Sequence, residues 1–176
     1  RVFIAGDVNG DRPLLHEAAD EGHIAGMNAL ADEVRCYKRR TPLSIVFTDP
    51  EVAVVGASAA HLAHPSFVVG CASFAHQGRA RAGQRNAGRI ALYADGTDGK
   101  LLGAELCAPA GEHLAHLLGL AVSQGLGVQD LLAMPIYHPV LEEGLRTALR
   151  DASRKLPGPR VSDLAHCAPM GSAALE

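Results

Sequence analysis

Five short, largely apolar segments follow one another between residues 41 and 108, and they constrain the fold more than any other feature of the sequence. Turn-forming residues separate them, and the run Gly96-Thr97-Asp98-Gly99 between the last two predicts a hairpin. The segments are 43–48, 52–56, 66–74, 88–95 and 101–107. This pattern predicts a region of short strands joined by tight connections.

Helical patterns follow the predicted strands. A first helix is expected from Pro109 to about Gly125, and a last one from Pro139 to about Leu156, with a short helical turn at 128–132 between them. The apolar positions of the last helix are Leu141, Leu145, Ala148, Leu149 and Ala152. Those of the first are Leu114, Leu117, Leu118, Leu120, Ala121 and Val122, an arc wider than packing on one sheet requires.

The N-terminal forty residues have a different organisation. Residues 2–8 are an apolar run that predicts a buried parallel strand, with Asp7 at its carboxyl end. A helix is then predicted from Pro13 to about Arg35. A polar, basic stretch before Pro42 predicts a domain boundary, and we divide the chain into 1–40, 41–156 and a tail, 157–176, whose last two residues resemble a vector-derived addition.

Composition excludes several classes of function. The hydrophobic content is 48%, the charged content 20% and the net charge -3, as in a globular domain without a nucleic-acid footprint. No apolar run approaches the roughly 18 residues of a membrane span, and no signal peptide is evident. We therefore expect a protein of the cytoplasm that binds neither nucleic acid nor membrane.

The cysteines and histidines outside the main motif predict no metal site. Cysteines stand singly at positions 36, 71, 107 and 167, without the spacing of a zinc site or a redox pair. Glu112, His113 and His116 lie close in sequence but match no common ligand spacing. We interpret the three as the polar outer face of a helix.

Residues 134–144 carry the clearest chemical signal. His138 directly precedes Pro139, which suits the first position of a helix, so His138 is expected at the N-cap. Helical side chains lean toward the N-terminus, so the carboxylate of Glu142 or of Glu143 could reach the imidazole. A carboxylate on one ring nitrogen would fix the tautomer and leave the other nitrogen as a general base. Spacing alone does not choose between the two glutamates.

These motifs resemble those of the pyridine nucleotide-disulfide oxidoreductases, in particular the dihydrolipoamide dehydrogenases. His-Pro-x-x-x-Glu near the C-terminus is similar to their acid/base signature, which matches His138 and Glu143. Residues 47–56 resemble the opening of their dimerisation domain, and Gly-Arg-Ala at 78–80 resembles a loop of that domain. The sequence Gly6-Asp7 and the run after Pro13 resemble the second FAD fingerprint, which implies that Asp7 binds the ribityl chain and the Leu15 amide faces the flavin.

The resemblance implies a fold and a function for the chain. The fold would be α+β, with an antiparallel sheet of about five strands, helices packed on it, and a preceding strand and helix left from an FAD domain. The complete enzyme would oxidise a dithiol such as dihydrolipoamide and pass electrons through FAD to NAD. It would be a homodimer in which each subunit supplies His138 to its partner. A 2-oxo acid dehydrogenase complex is a candidate for the larger assembly. Because the family's other motifs are absent, we expect a piece of a longer subunit that binds no cofactor alone.

Other functions compete with this interpretation. A related flavoprotein disulfide reductase or transhydrogenase would use the same architecture on another substrate. Mercuric reductases typically carry a Tyr and C-terminal cysteines here, and glutathione reductases a Thr in the motif, so both are disfavoured. A purely structural dimerisation module would make His138 a helix cap, and replacing His138 would then affect stability rather than rate. A free-standing small-molecule binding domain is disfavoured by the absence of an initiating Met.

Overall fold

The computed structural model describes residues 2–62 and 66–158. The chain forms two compact units, Arg1–Arg40 and Thr41–Glu176, which are described separately below. Most of the predicted tail, from residue 159 onward, lies outside the described residues. Among the helices that are described, none is long and apolar enough to span a lipid bilayer.

The first unit contains one helix, α1 (Leu15–Leu30), and a 3-10 turn at Asp7–Asn9. The predicted strand at 2–8 is wrong, because all of these residues are described and none is in a strand. A buried parallel strand requires neighbours on its edges and faces. The described part of this unit has no other strand to pair with, and Val2, Ile4 and Val8 are exposed.

Helix α1 is also shorter than the sequence predicted, since it ends at Leu30 instead of near Arg35. The side chain of Asn28 accepts a hydrogen bond from the Arg35 amide at 2.8 Å and donates one to the Arg35 carbonyl at 3.0 Å. These bonds turn the chain back and satisfy backbone groups that a longer helix would otherwise have paired.

The second unit contains a five-stranded sheet in which all neighbouring strands are antiparallel, in the order β1-β2-β5-β4-β3. The predicted α+β fold is therefore confirmed, and the sequence located every strand to within two residues. The strands are β1 (Leu43–Val46), β2 (Glu51–Gly56), β3 (Phe67–Ser73), β4 (Arg89–Asp95) and β5 (Leu101–Ala108).

The second unit also contains helices. They are α2 (Gly78–Ala82), α3 (Gly111–Ser123), α4 (Val128–Ala133) and α5 (Glu143–Ser153). Helix α3 packs mainly on β2 and β5, whereas α5 packs on β3 and β4. The four predicted core positions within α5, namely Leu145, Ala148, Leu149 and Ala152, are all buried.

Some local predictions differ from the structure. Between β2 and β3 the structure has a 3-10 turn, Ala59–His61, and residues 63–65 lie outside the described chain. The segment Gly78–Arg81, interpreted as a loop, lies in α2 because the Gln77 side chain caps it. On α3, the proposed wide apolar arc is narrower than expected: Leu118 and Ala121 are in the core and Leu120 is exposed.

Helix α5 lies unusually close to strand β3. A Cβ atom at Gly70 would be 2.3 Å from the Ala148 carbonyl oxygen, so only glycine permits this approach. The Asp151 carboxylate accepts the Cys71 amide at 2.9 Å, and Lys155 Nζ donates to the Val69 carbonyl at 2.6 Å. These side chains satisfy two backbone groups of β3, which lies at the edge of the sheet.

We expect Gly70→Ala to destabilise the second unit. The added methyl group would force α5 away from β3, and overpacking of this kind typically costs about 1–3 kcal/mol. Gly119→Ala in α3 is the matched control, because its Cβ would meet only Val55 Cγ1 at 3.9 Å. Alanine in that helix interior should stabilise by about 0.5–1 kcal/mol relative to glycine. Urea unfolding would measure both changes, and equal midpoints for the two variants would contradict the expectation.

Candidate functional site

His138 and Glu143 form a hydrogen-bonded pair at the start of α5. The imidazole Nδ1 lies 2.9 Å from Glu143 Oε1. The His138 side chain is 80% exposed, whereas that of Glu143 is partly shielded at 32%. The pair therefore joins a solvent-accessible imidazole to a carboxylate fixed on a rigid helix.

The local backbone differs from the sequence prediction. Helix α5 begins at Glu143, so Pro139 is not its first residue and His138 is not its N-cap. The Val140 amide donates to Glu143 Oε2 at 3.3 Å, which satisfies this N–H outside the helix. The His138–Pro139 peptide bond is cis. Residues 138–142 lie outside the helix, in a loop that the Glu143 side chain joins to the first helical turn.

This arrangement brings His138 to Glu143 and leaves Glu142 aside. Glu142 occupies the N-cap position, and its side chain makes no capping hydrogen bond. Glu143 is the first helical residue, and its side chain leans toward the preceding loop as helical geometry favours. Spacing alone had left both glutamates open, and the contact agrees with the motif resemblance, which matched Glu143.

The hydrogen bond from His138 is the main cause that holds the pKa of Glu143 below its ordinary value of 4.5. Burial raises this pKa, and the hydrogen bond from the Val140 amide lowers it. The carboxylate is consequently ionised at neutral pH and can accept the Nδ1–H of the imidazole. A neutral ring that donates from Nδ1 carries its lone pair on Nε2. The pair can therefore accept a proton at Nε2 and stabilise the resulting imidazolium.

The two residues matched to FAD lie in the first unit, and both are accessible. Asp7 is an exposed residue in the 3-10 turn, and Leu15 is the first residue of α1, with 88% of its surface exposed. A backbone N–H in the first turn of a helix has no partner within that helix. An exposed carboxylate and an available helix N-terminal amide fit the hydroxyl groups and the ring carbonyls of a flavin.

A network of charges that the sequence analysis missed holds the turn that bears Asp7. Glu21 Oε2 accepts the Gly6 amide at 2.6 Å and Asn9 Nδ2 at 2.7 Å. Arg39 binds Glu21 at 2.8 Å and also bonds to Glu17, which is only 2% exposed. The i, i+4 spacing of the two glutamates and the basic run at 38–40 were the only sequence signals.

The ionisation of both glutamates follows from these contacts. The Gly6 amide, followed by Arg39, holds the pKa of Glu21 below 4.5. Burial raises the pKa of Glu17, but the bonds from Arg39 and Arg12 outweigh it and the pKa is lowered. Both glutamates are therefore ionised at neutral pH, and both are paired with Arg39.

The described residues, 2–62 and 66–158, contain no group of three or more side chains arranged to hold a metal ion. Within α3, His116 Nδ1 lies 2.7 Å from the Glu112 carbonyl oxygen, and His113 Nε2 lies 3.5 Å from the Glu112 carboxylate. These contacts agree with the interpretation of the three residues as a polar helix face.

Comparison with known proteins gives consistent matches. Residues 43–149 match the dimerisation domain of pyridine nucleotide-disulphide oxidoreductases. The chain is 33% identical over 149 residues to dihydrolipoyl dehydrogenase 2 of Haloarcula marismortui, covering 84% of this chain and 31% of that protein. It is 34% identical over 153 residues to dihydrolipoyl dehydrogenase of Halobacterium salinarum, covering 86% and 32%.

A mammalian relative and two solved structures extend the comparison. Mitochondrial dihydrolipoyl dehydrogenase of Rattus norvegicus is 30% identical over 154 residues, covering 86% of this chain and 30% of that protein. LpdA from Mycobacterium tuberculosis superposes with a TM-score of 0.68 at 28% identity, covering 83% and 32%. The Cu(II) complex of the flavoprotein disulfide reductase RclA from Escherichia coli superposes with a TM-score of 0.70 at 22% sequence identity. The match covers 82% of this chain and 34% of that one, and it shows a likeness of fold.

We expect the stability contribution of the His138–Glu143 pair to disappear in acid. Because the pKa of Glu143 is lower in the folded than in the unfolded chain, the contribution is present above 4.5 and is lost as pH falls through the lowered pKa. Glu143→Gln should therefore lower the unfolding free energy at neutral pH by less than about 1 kcal/mol, since the pair is partly exposed.

The difference from the parent protein should vanish as the pH falls well below 4.5. Glu142→Gln removes the same charge one residue away without removing the pair, and serves as the control. Chemical denaturation across this pH range would measure the effect. A Glu143→Gln deficit that persists unchanged in acid would show that the ionised carboxylate is not its source.

Proposed function

This chain belongs to the pyridine nucleotide-disulphide oxidoreductase family, of which it contains the dimerisation domain, and we propose that it supplies the acid/base pair of a dihydrolipoamide dehydrogenase-like flavoenzyme. The observation that carries the proposal is the 2.9 Å contact between His138 Nδ1 and Glu143. The names of its relatives agree in the reaction class, and the chain spans only about a third of their length.

The proposed role of His138 is to deprotonate one thiol of the substrate. A thiolate, and not a thiol, attacks a disulfide, so the reaction requires a base close to the entering dithiol. The Nε2 lone pair of His138 takes the thiol proton while Glu143 stabilises the imidazolium. The substrate thiolate then forms a mixed disulfide, and its second thiol completes the exchange, leaving an oxidised substrate and a reduced cysteine pair.

The redox disulfide and the electron acceptor must come from outside the chain. None of its four cysteines has the spacing of a redox pair. Bound FAD would supply the two-electron relay between the reduced cysteines and NAD. Asp7 and the Leu15 amide are the residues of this chain that we propose for FAD, because both are accessible and the Asp7 turn is held by Glu21.

The partner that we propose is a second copy of the same subunit. A domain that carries the base but not the disulfide needs the disulfide of another domain or chain. The family to which residues 43–149 match is described as a dimerisation domain, which supports a second copy as the source. We further propose dihydrolipoamide as substrate, with a 2-oxo acid dehydrogenase complex as the assembly, in the reducing environment of the cytoplasm. Other disulfide substrates would use the same residues.

In the full-length enzyme that contains this chain, His138→Ala should reduce turnover by about 10²–10⁴-fold, the usual contribution of a general acid/base. Glu143→Gln should cost less, because the base remains, and Glu142→Gln should cost little, because this residue lacks the contact. Steady-state rates with dihydrolipoamide and NAD would measure the three variants. A stable His138→Ala enzyme with parental turnover would favour the purely structural dimerisation module instead.

The chain itself should bind no FAD when purified. Asp7 and Leu15 would contact only the ribityl and pyrimidine parts of the cofactor, and the glycine-rich loop that would hold its adenine end is not in this sequence. Absorbance near the flavin bands after dialysis against FAD would test this. Stoichiometric flavin retained by the chain, and lost in Asp7→Ala, would contradict the expectation.

We also expect the purified chain to form a two-fold dimer, which requires only one self-complementary patch on each copy. An obligate interface typically buries more than about 2,000 Å² in total. Exposed Leu120 on α3 is the remaining candidate from the predicted arc, so Leu120→Asp should weaken association.

Sedimentation equilibrium over a range of concentrations would measure the dimer. Ile4→Asp in the first unit is the control, because exposed Ile4 could drive irregular association that is unrelated to α3. A monomer at micromolar concentration would contradict the dimer. Association abolished by Ile4→Asp and unaffected by Leu120→Asp would identify aggregation through the N-terminal segment.

A further inference from the structure

Gln77, immediately before α2, is a buried polar residue whose side chain reaches the His138 loop. It is 8% exposed, and both ends of its amide are used. Nε2 donates to the Val140 carbonyl at 2.6 Å, and Oε1 accepts the Ala80 amide at 2.6 Å. One side chain therefore caps α2 and binds a loop more than sixty residues further along the chain.

The bond to Val140 continues to the imidazole. The Val140 amide donates to Glu143 Oε2 at 3.3 Å, and Glu143 Oε1 lies 2.9 Å from His138 Nδ1. The carbonyl of Val140 is thus held by Gln77, while its N–H is held by the same carboxylate that binds His138. Displacement of Val140 would move a group that is hydrogen-bonded to the Glu143 carboxylate.

A second contact joins the same two segments. Phe74 is fully buried just before Gln77, and a Cβ atom at Gly144 would lie 2.8 Å from two atoms of its ring. Gly144 directly follows Glu143, so the first turn of α5 rests on the Phe74 ring. The segment from Phe74 to Gln77 therefore supports the His138 loop both by packing and by a hydrogen bond.

We infer that Gln77 is a positioning residue, which fixes the His138–Glu143 pair through the Val140 peptide. The inference rests on the proposed function for its catalytic consequence. Loop residues have few constraints of their own, and His138 is largely exposed, so the imidazole depends on the contacts of its neighbours for orientation. A side-chain amide suits position 77, because the Ala80 N–H is bonded to its oxygen and the Val140 carbonyl to its nitrogen.

Gln77→Glu separates the two contacts. A carboxylate of nearly the same shape can still accept the Ala80 amide, but when ionised it offers an acceptor to the Val140 carbonyl. The helix cap should survive while the loop contact is lost. Gln77→Asn provides a second, uncharged test, because its amide falls short of Val140 by about one carbon–carbon bond, or about 1.5 Å.

Gln129→Glu is the matched control. Gln129 is a partly buried glutamine that donates from Nε2 to Ser153 Oγ at 3.0 Å, near the end of α5, and has no bond to the His138 loop. The same substitution there introduces the same charge beside the same helix. It therefore reports any general effect of a new carboxylate on the second unit.

The measurement is nuclear magnetic resonance on the isotope-labelled chain at neutral pH. In Gln77→Glu and Gln77→Asn, hydrogen exchange of the Val140 amide should become about five- to tenfold faster, the equivalent of one lost hydrogen bond. The ratio of His138 imidazole tautomers should shift from the Nδ1–H form toward the ratio found in Glu143→Ala. Gln129→Glu should change neither. Parental values in both Gln77 variants, or equal shifts in Gln129→Glu, would overturn the inference.

A kinetic arm distinguishes this inference from the proposed function. In the full-length enzyme, Gln77→Asn should lower the turnover number by about three- to tenfold, and it should have no further effect in a His138→Ala background, because positioning acts only through His138. An undiminished rate in His138→Ala would refute the function while the resonance data still decide the role of Gln77. Additive effects of Gln77→Asn and His138→Ala would refute positioning.

Discussion

The contact between α5 and strand β3 is the constraint on which the candidate site depends. Gly70 permits the Ala148 carbonyl to approach the strand backbone, and the side chains of Leu145 and Leu149 are buried against the sheet. A helix seated at this distance has little freedom to slide or rotate. Glu143 is its first residue, so the place of the carboxylate follows from packing several residues away. The position of the Glu143 carboxylate thus depends on backbone contact in the core, whereas the position of His138 depends on the hydrogen bonds of its loop.

The antiparallel sheet was predictable because its signals are local. Short apolar segments and a hairpin turn gave five strands whose observed bounds lie within two residues of those expected. The N-terminal segment has an equally clear strand pattern, yet residues 2–8 form none. An apolar run indicates only that a segment can be buried in a sheet. Strand pairing also requires neighbouring strands, which the described part of the first unit lacks. The same reasoning explains why one pattern succeeded and the other failed.

The candidate site was predictable in composition and less so in geometry. The His-Pro-x-x-x-Glu motif identified the two residues that meet, but proline rules placed the helix start at Pro139 instead of Glu143. Those rules consider only the backbone of the proline and its neighbours. The observed start also depends on the Glu143 side chain bonding back to the Val140 amide. Gln77 was not predicted because nothing in its local sequence relates it to a loop beyond position 130.

Buried and partly buried polar groups serve the same purpose in both units. In the first, Glu21 and Arg39 hold the turn that bears Asp7, and in the second, Gln77 and Glu143 hold the loop that bears His138. Each network joins segments that are distant in sequence, and each leaves the outermost group exposed to solvent. Apolar packing alone could bury these segments, but it would not orient a carboxylate or an imidazole, because dispersion contacts lack direction. Hydrogen bonds beneath an exposed group are therefore the means by which this chain presents reactive side chains in a defined orientation.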